Sequence, residues 1–160
     1  MCKVIIAIVG MLTILAAPTE VNTEPRAVVD RIEDGGYAVV EFSRGNEVYK
    51  MLDIPLEDIN GKVSEGTEIP VKVAEGYFHC DLDVKDEQGN DIKWYQFRSY
   101  DDEVWWCLTE EEIGHIPTDV HDTYTLYYSD NGTTSCDCPA ELECEEFLYD
   151  DIFFVVEKEK

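Results

Sequence analysis

An all-β fold with one short helix is predicted, as a small β-barrel or curled antiparallel sheet followed by a second β-rich module. Three observations predict it. Ala27 to Val73 runs strand, Gly-rich turn, strand, acidic turn, strand. Phe78, Cys80, Leu82 and Val84 then alternate with His79, Asp81, Asp83 and Lys85, the period of two of a half-buried strand. Short β-branched and aromatic runs with a turn signal about every 8–12 residues continue along the chain, the pattern of small barrels and curled sheets.

Each element has a local reason. Ala27–Ile32 and Tyr37–Phe42 flank Glu33-Asp34-Gly35-Gly36, whose glycines supply the positive φ of a tight hairpin. Val48–Leu52 returns as a third strand after the polar turn Ser43-Arg44-Gly45-Asn46. Pro55 and Asn60-Gly61 interrupt the next stretch, and Thr67–Val73 alternates as an edge strand after Glu65-Gly66. Asp86–Asn90 turns the chain into a strand that starts at Ile92. Trp94–Leu108 reads as a further hairpin around Tyr100-Asp101-Asp102. Trp105 and Trp106 must point to opposite faces of its second strand, so at most one enters a given core. The other is a candidate exposed aromatic contact, able to stack on a sugar or an aromatic ligand. Thr109-Glu110-Glu111-Glu112 is a capping-box pattern, and Gly114 and Pro117 keep the helix short. Thr123–Tyr128 is a strand, Asp130-Asn131-Gly132 a turn, and Phe147–Glu157 a closing strand or strand pair. Hairpin, acidic turn and strand thus recur loosely in both halves, a weak sign of duplication.

The first module also carries a resemblance. Val29-Asp30-Arg31-Ile32-Glu33, then Ala38-Val39-Val40, then Pro55-Leu56 and Glu65-Gly66 occur in an order that resembles the small bacterial domain family of unknown function designated DUF3006. The resemblance covers residues of about 27–73 only. It implies a small β domain and brings no known activity and no site.

Composition bounds the function. Twelve basic against thirty-six acidic side chains give a net charge of −24 over 160 residues. Such a surface repels phosphate backbones and anionic headgroups, so nucleic acid is not an expected partner, and a membrane is expected only through the N-terminal segment. The acids are dispersed among aromatics, which favours a folded acidic surface over a disordered tract. A divalent cation or a basic partner would suit that surface. Val4 to Ala17 is a continuous apolar run behind Lys3, of signal-peptide length and short for a membrane span. The expected organisation is therefore a signal peptide or membrane anchor over 1–17, a linker over 18–26, a barrel-like module over 27–74 and a β-rich module with a cysteine loop over 75–160. Secretion or attachment to the cell envelope follows from the leader; a cytoplasmic location is the alternative.

The chemistry-bearing residues point away from catalysis. Asp81, Asp83 and Asp86 do not make a calcium loop, because Lys85, Asp86 and Ile92 occupy positions that need an acidic ligand, a glycine and a glutamate. Glu112 and His115 form one E-x-x-H step where a di-iron bundle needs two. Cys136, Cys138 and Cys144 sit in one polar loop, with Cys107 and Cys80 on strands. With Cys107 the three loop cysteines are candidate zinc ligands, although the C-x-C spacing differs from paired C-x-x-C. In an oxidising compartment Cys136, Cys138 and Cys144 are disulfide candidates, with Cys144 bonded to one of the other two. Asn131-Gly132-Thr133 is formally a glycosylation acceptor, read here as a turn. No nucleophile elbow, metalloprotease helix or phosphate-cradling loop is present, and the three histidines are scattered. The expectation is a non-catalytic, cofactor-free, exported or membrane-tethered acidic binding protein that engages another protein or a cell-wall component. The alternative is a cytosolic phage or accessory protein with a structural zinc in its cysteine loop.

Overall fold

β-Branched residues at alternate positions and glycines able to turn the chain back set up two antiparallel meanders. The computed structural model describes residues 23–114, 117, 121–133 and 152–160, without the side chains of Cys80 and Asp81. The expected leader and the loop holding Cys136, Cys138 and Cys144 lie outside the described residues. Strands β1 (Pro25–Glu33), β2 (Tyr37–Arg44) and β3 (Glu47–Pro55) pair in succession, and β4 (Glu68–Ile69) joins the far side of β1. Gly36 at φ 81° and Gly45 at φ 63° make the two hairpin turns. A bulge at Asp30 lets Arg31, and not Asp30, register with Val39.

The second sheet contains β5 (Lys72–Lys85), β6 (Asp91–Ser99), β7 (Trp105–Thr109), β8 (Tyr124–Ser129) and β9 (Ile152–Lys158), in the order β7-β6-β5-β8-β9. Among the described residues the fold is therefore mostly β, with one α-helical turn, α1 (Glu110–Ile113), and one 3-10 turn at Leu56–Asp58. Its capping box forms as the sequence implies: the Glu112 amide donates to Thr109 Oγ1 and the Thr109 amide to Glu112 Oε2, while Gly114 ends it in the left-handed region. No helix among the described residues is long and apolar enough to cross a membrane.

Two departures from the sequence reading matter. The edge strand expected over Thr67–Val73 is divided. Pro70, which has no amide hydrogen, separates the two-residue β4 from β5. The expected boundary between residues 74 and 75 falls inside β5, which continues unbroken to Lys85. Residues 72–76 of β5 pair with β8 and residues 76–85 with β6, so Gly76 serves both neighbours.

Packing explains why the halves do not separate. Ala27, Val29, Ala38, Val40, Phe42 and Ile54 form one side of a first core, and Tyr127, Ile152, Phe154 and Val155 form the other. Phe154 stacks on Phe42 with centroids 5.6 Å apart. On the opposite face of the same two strands, Leu126 and Val156 enter a second core with Phe78, Tyr95, Phe97 and Tyr124. β8 and β9 are thus a wall shared by two cores, which is why their sequences are almost continuously apolar. The curl of the second sheet brings Trp106 of β7 against Phe153 of β9, its opposite edge strand, at 6.2 Å. Residues 131–133 add a polar latch. The Asn60 amide donates to the Asn131 carbonyl and the Thr133 amide to the Asp58 carbonyl, each at 2.9 Å.

Candidate functional site

β3 is the outer strand of the first sheet, and among the described residues no strand pairs with its free side. Five consecutive residues, Glu47 to Met51, are exposed. Val48, Tyr49 and Met51 keep 51%, 48% and 44% of their surface, and Tyr37 on β2 adds a further exposed ring. Natural edges are usually blunted by a short strand, a proline or an outward lysine. β4, at the other edge, has the first two: it is two residues long and Pro70 follows it. β3 has nine residues and carries its own proline, Pro55, only at the last position. Its only cation, Lys50, is registered with Phe42 on the core side and lies 5.9 Å from the Phe153 ring centroid.

The N-terminal end of β3 runs into an open cleft of about 700 Å³, lined by Arg44, Tyr49, Tyr127, Val155, Glu157 and Lys158 among others. A bulge at the Phe42–Ser43 step makes Tyr49 the extra residue and sets its ring edge-on to Phe42 at 6.4 Å. The Arg44 guanidinium lies over two rings, 5.8 Å from Tyr49 and 5.5 Å from Tyr127. It donates to Glu157 Oε2 at 2.7 Å, and the Tyr127 hydroxyl donates to the same oxygen at 3.3 Å. A hydrogen bond to Glu157, with the repulsion of its charge, raises the Tyr49 phenol above its ordinary pKa. Burial, followed by the charge of Glu157, does the same for Tyr127. Both phenols stay protonated, so each can donate and neither adds negative charge. The cluster is a cation held between two rings and one carboxylate, a rigid polar post beside an exposed apolar strand.

The residues singled out from sequence lie elsewhere. Trp105 and Trp106 are both half-buried and both pack against the second core. Arg98 covers the Trp105 ring at 4.3 Å. Neither ring is the open platform expected of one of them, because the curled sheet brings covering groups to both faces of β7. Cys107 is disulfide-bonded, so its sulfur carries no thiolate to offer a metal and it leaves the candidate zinc set. Cys136, Cys138 and Cys144 lie outside the described residues. Among the described residues no three metal-ligating side chains converge. Asp86 is occupied locally: its carboxylate accepts from the Gln88 and Asn90 amides and from the Asn90 side chain.

Sequence reasoning missed the cleft, whose lining residues come from three separate parts of the chain, around Arg44, Tyr127 and Glu157. The only local sign was an apolar and aromatic strand, Val48-Tyr49-Lys50-Met51, behind a turn with no partner strand on its other side. Comparisons with protein-family models, with curated proteins and with solved structures found no match.

Proposed function

We propose that this chain is a non-catalytic, exported or membrane-tethered acidic binding protein that engages another protein or a cell-wall component. The observation that carries the reading is the exposed, apolar edge of β3, unpaired among the described residues, beside the Arg44 cleft. A long apolar edge is hazardous to a protein that has no use for it, because it templates association with other chains. A binding protein uses such an edge.

Two further features support the reading. The disulfide at Cys107 suits an oxidising compartment, in keeping with the apolar leader ahead of Pro18. In the cleft, Arg44 and Tyr127 both donate to Glu157 Oε2 and leave Glu157 Oε1 buried without a hydrogen-bond partner among the described residues, an acceptor that a donor group on a ligand entering the cleft would satisfy.

The test is fractionation of the native host, followed by co-sedimentation of the oxidised protein with envelope material. The reading expects the chain in the envelope or the medium, retained by envelope material through a saturable interaction. A wholly cytoplasmic chain with its leader intact and its thiols reduced would overturn it.

A further inference from the structure

We infer that the free edge of β3 receives an extended segment of a partner protein, added as a further antiparallel or parallel strand and rich in lysine or arginine at alternate positions. The inference rests on the proposed binding function and names the partner's chemistry. Three observations converge on it. First, the edge has the length and openness for strand addition: nine residues, five consecutive ones exposed, and no pairing on the free side among the described residues. Second, the outer face of the sheet beside it is apolar and shaped by strand register. Val48, Met51 and Tyr37 lie on it, next to partly buried Val28 and buried Val39. A strand added along β3 would set alternate side chains about 5 Å from those of Val48 and Met51.

Third, three carboxylates around the edge make no ion pair among the described residues, and Arg44, opposite Glu47, is held by Glu157. Glu41 is registered with Met51, Glu47 with Arg44, and Asp53 with Val39. Arg31, the nearest cation on the outer face, is already held by Asp30 and Glu33. Lys50 is directed at Phe153. The local sign matches the chain's net charge of −24. A second copy of this chain would bring the same carboxylates edge to edge, and an acidic partner would be repelled. A basic strand gains from both terms, and the long-range field would speed its approach at low salt.

The experiment uses the oxidised full chain and a synthetic nonapeptide of alternating valine and lysine. Two control peptides replace every lysine by glutamate or place a proline at the centre. Amide shifts and hydrogen exchange locate the contact. The expected result is saturable binding that weakens with salt, with amides 47–53 perturbed and protected. Each control peptide should bind about tenfold or more weakly, since one loses charge complementarity and the other strand pairing. The double variant Val48→Lys, Met51→Lys should also weaken binding about tenfold, because it places like charge beside the incoming lysines. Both positions are exposed, so the variant should melt as the parent does. If it does not, Glu41→Gln with Asp53→Asn replaces it.

The inference fails if the proline peptide binds as well as the parent peptide, if the perturbed amides lie outside β3, or if no peptide binds. It fails equally if sedimentation shows a dimer joined through β3, which makes a second copy the occupant. Retention by envelope material that persists after any of these results leaves the binding reading standing and removes only the β3 assignment.

Discussion

Replacing Gly76 by alanine tests the packing logic at the position where two strands of the second sheet, β6 and β8, meet one residue of β5. Gly76 is registered with Ser99 of β6 and with Tyr124 of β8. A Cβ built there would lie 2.1 Å from the Arg98 carbonyl oxygen and 2.7 Å from Phe97 Cζ. The oxygen is backbone and cannot rotate aside, and Phe97 is fully buried in the second core. β5 and β6 must therefore separate by about 1 Å or more, in an interior packed too tightly to absorb it. Overpacking of this kind costs about 3 kcal/mol, the upper part of its usual range. For a chain of this length that lowers Tm by roughly 6–12 °C. Gly61→Ala is the matched control. Gly61 has φ 93° with nothing within 4 Å of its built Cβ, so only backbone strain of about 1 kcal/mol is expected. Far-UV circular dichroism melts of the three oxidised proteins in one buffer give the answer. A Gly76→Ala protein within about 2 °C of wild type, or one less destabilised than Gly61→Ala, would refute the account of β5 as a shared and crowded strand.

Single contacts supply further tests. Arg44→Met should destabilise by about 1–3 kcal/mol by leaving half-buried Glu157 without its cation, and Glu157→Gln in the same chain should recover part of that loss in a double-mutant cycle. Thr109→Ala removes the cap of α1 and should cost about 1 kcal/mol in a denaturant titration. The Asp86 carboxyl is held below its ordinary pKa, first by the Asn90 side chain and then by the Asn90 amide. Its ionised form therefore adds stability that is complete above the unfolded pKa of about 3.9 and disappears as pH falls through the lower folded value. The stability gap between wild type and Asp86→Asn should accordingly be constant near neutrality and close in acid, as urea midpoints at a series of pH values would show. Cys80 registers with Gln96, which registers with Cys107, so those cysteines are two strand spacings apart, about 10 Å and beyond disulfide reach. Non-reducing peptide mapping should join Cys107 to one of Cys2, Cys136, Cys138 and Cys144, and a Cys80–Cys107 peptide would contradict the register.

What the sequence disclosed and what it withheld divide along range of interaction. The hairpins at Gly35-Gly36 and Gly45-Asn46 and the capping box at Thr109 are determined within a few residues, and they were legible. The alternation of Phe78 to Val84 marked a strand, but a bulge at His79 registers Phe78 with Phe97, and Cys80, Leu82 and Val84 with Gln96, Trp94 and Ile92 on the other face. The division of residues 67–73 depends on Pro70 falling where the chain changes sheets, which composition does not reveal. Gly76 is a strand glycine whose reason is a neighbouring carbonyl oxygen, which no local pattern reveals. The double burial of β8 and β9 was visible as apolar runs, but which core each face enters is set by two sheets folding onto them. Trp105 and Trp106 read as pointing opposite ways with at most one in a given core, yet both pack against the second core. The curl that gives both a cover comes from contacts between β7 and β9, more than forty residues apart. Arg44, Tyr49, Tyr127 and Glu157 meet only through tertiary packing, so no spacing rule could assemble them.

The most direct test of the central claim is the intact mass of the native chain recovered from envelope and medium, measured before and after reduction. The account predicts a chain found there that gains the hydrogens of at least one reduced disulfide. A chain confined to the cytoplasm whose mass does not change on reduction would contradict it.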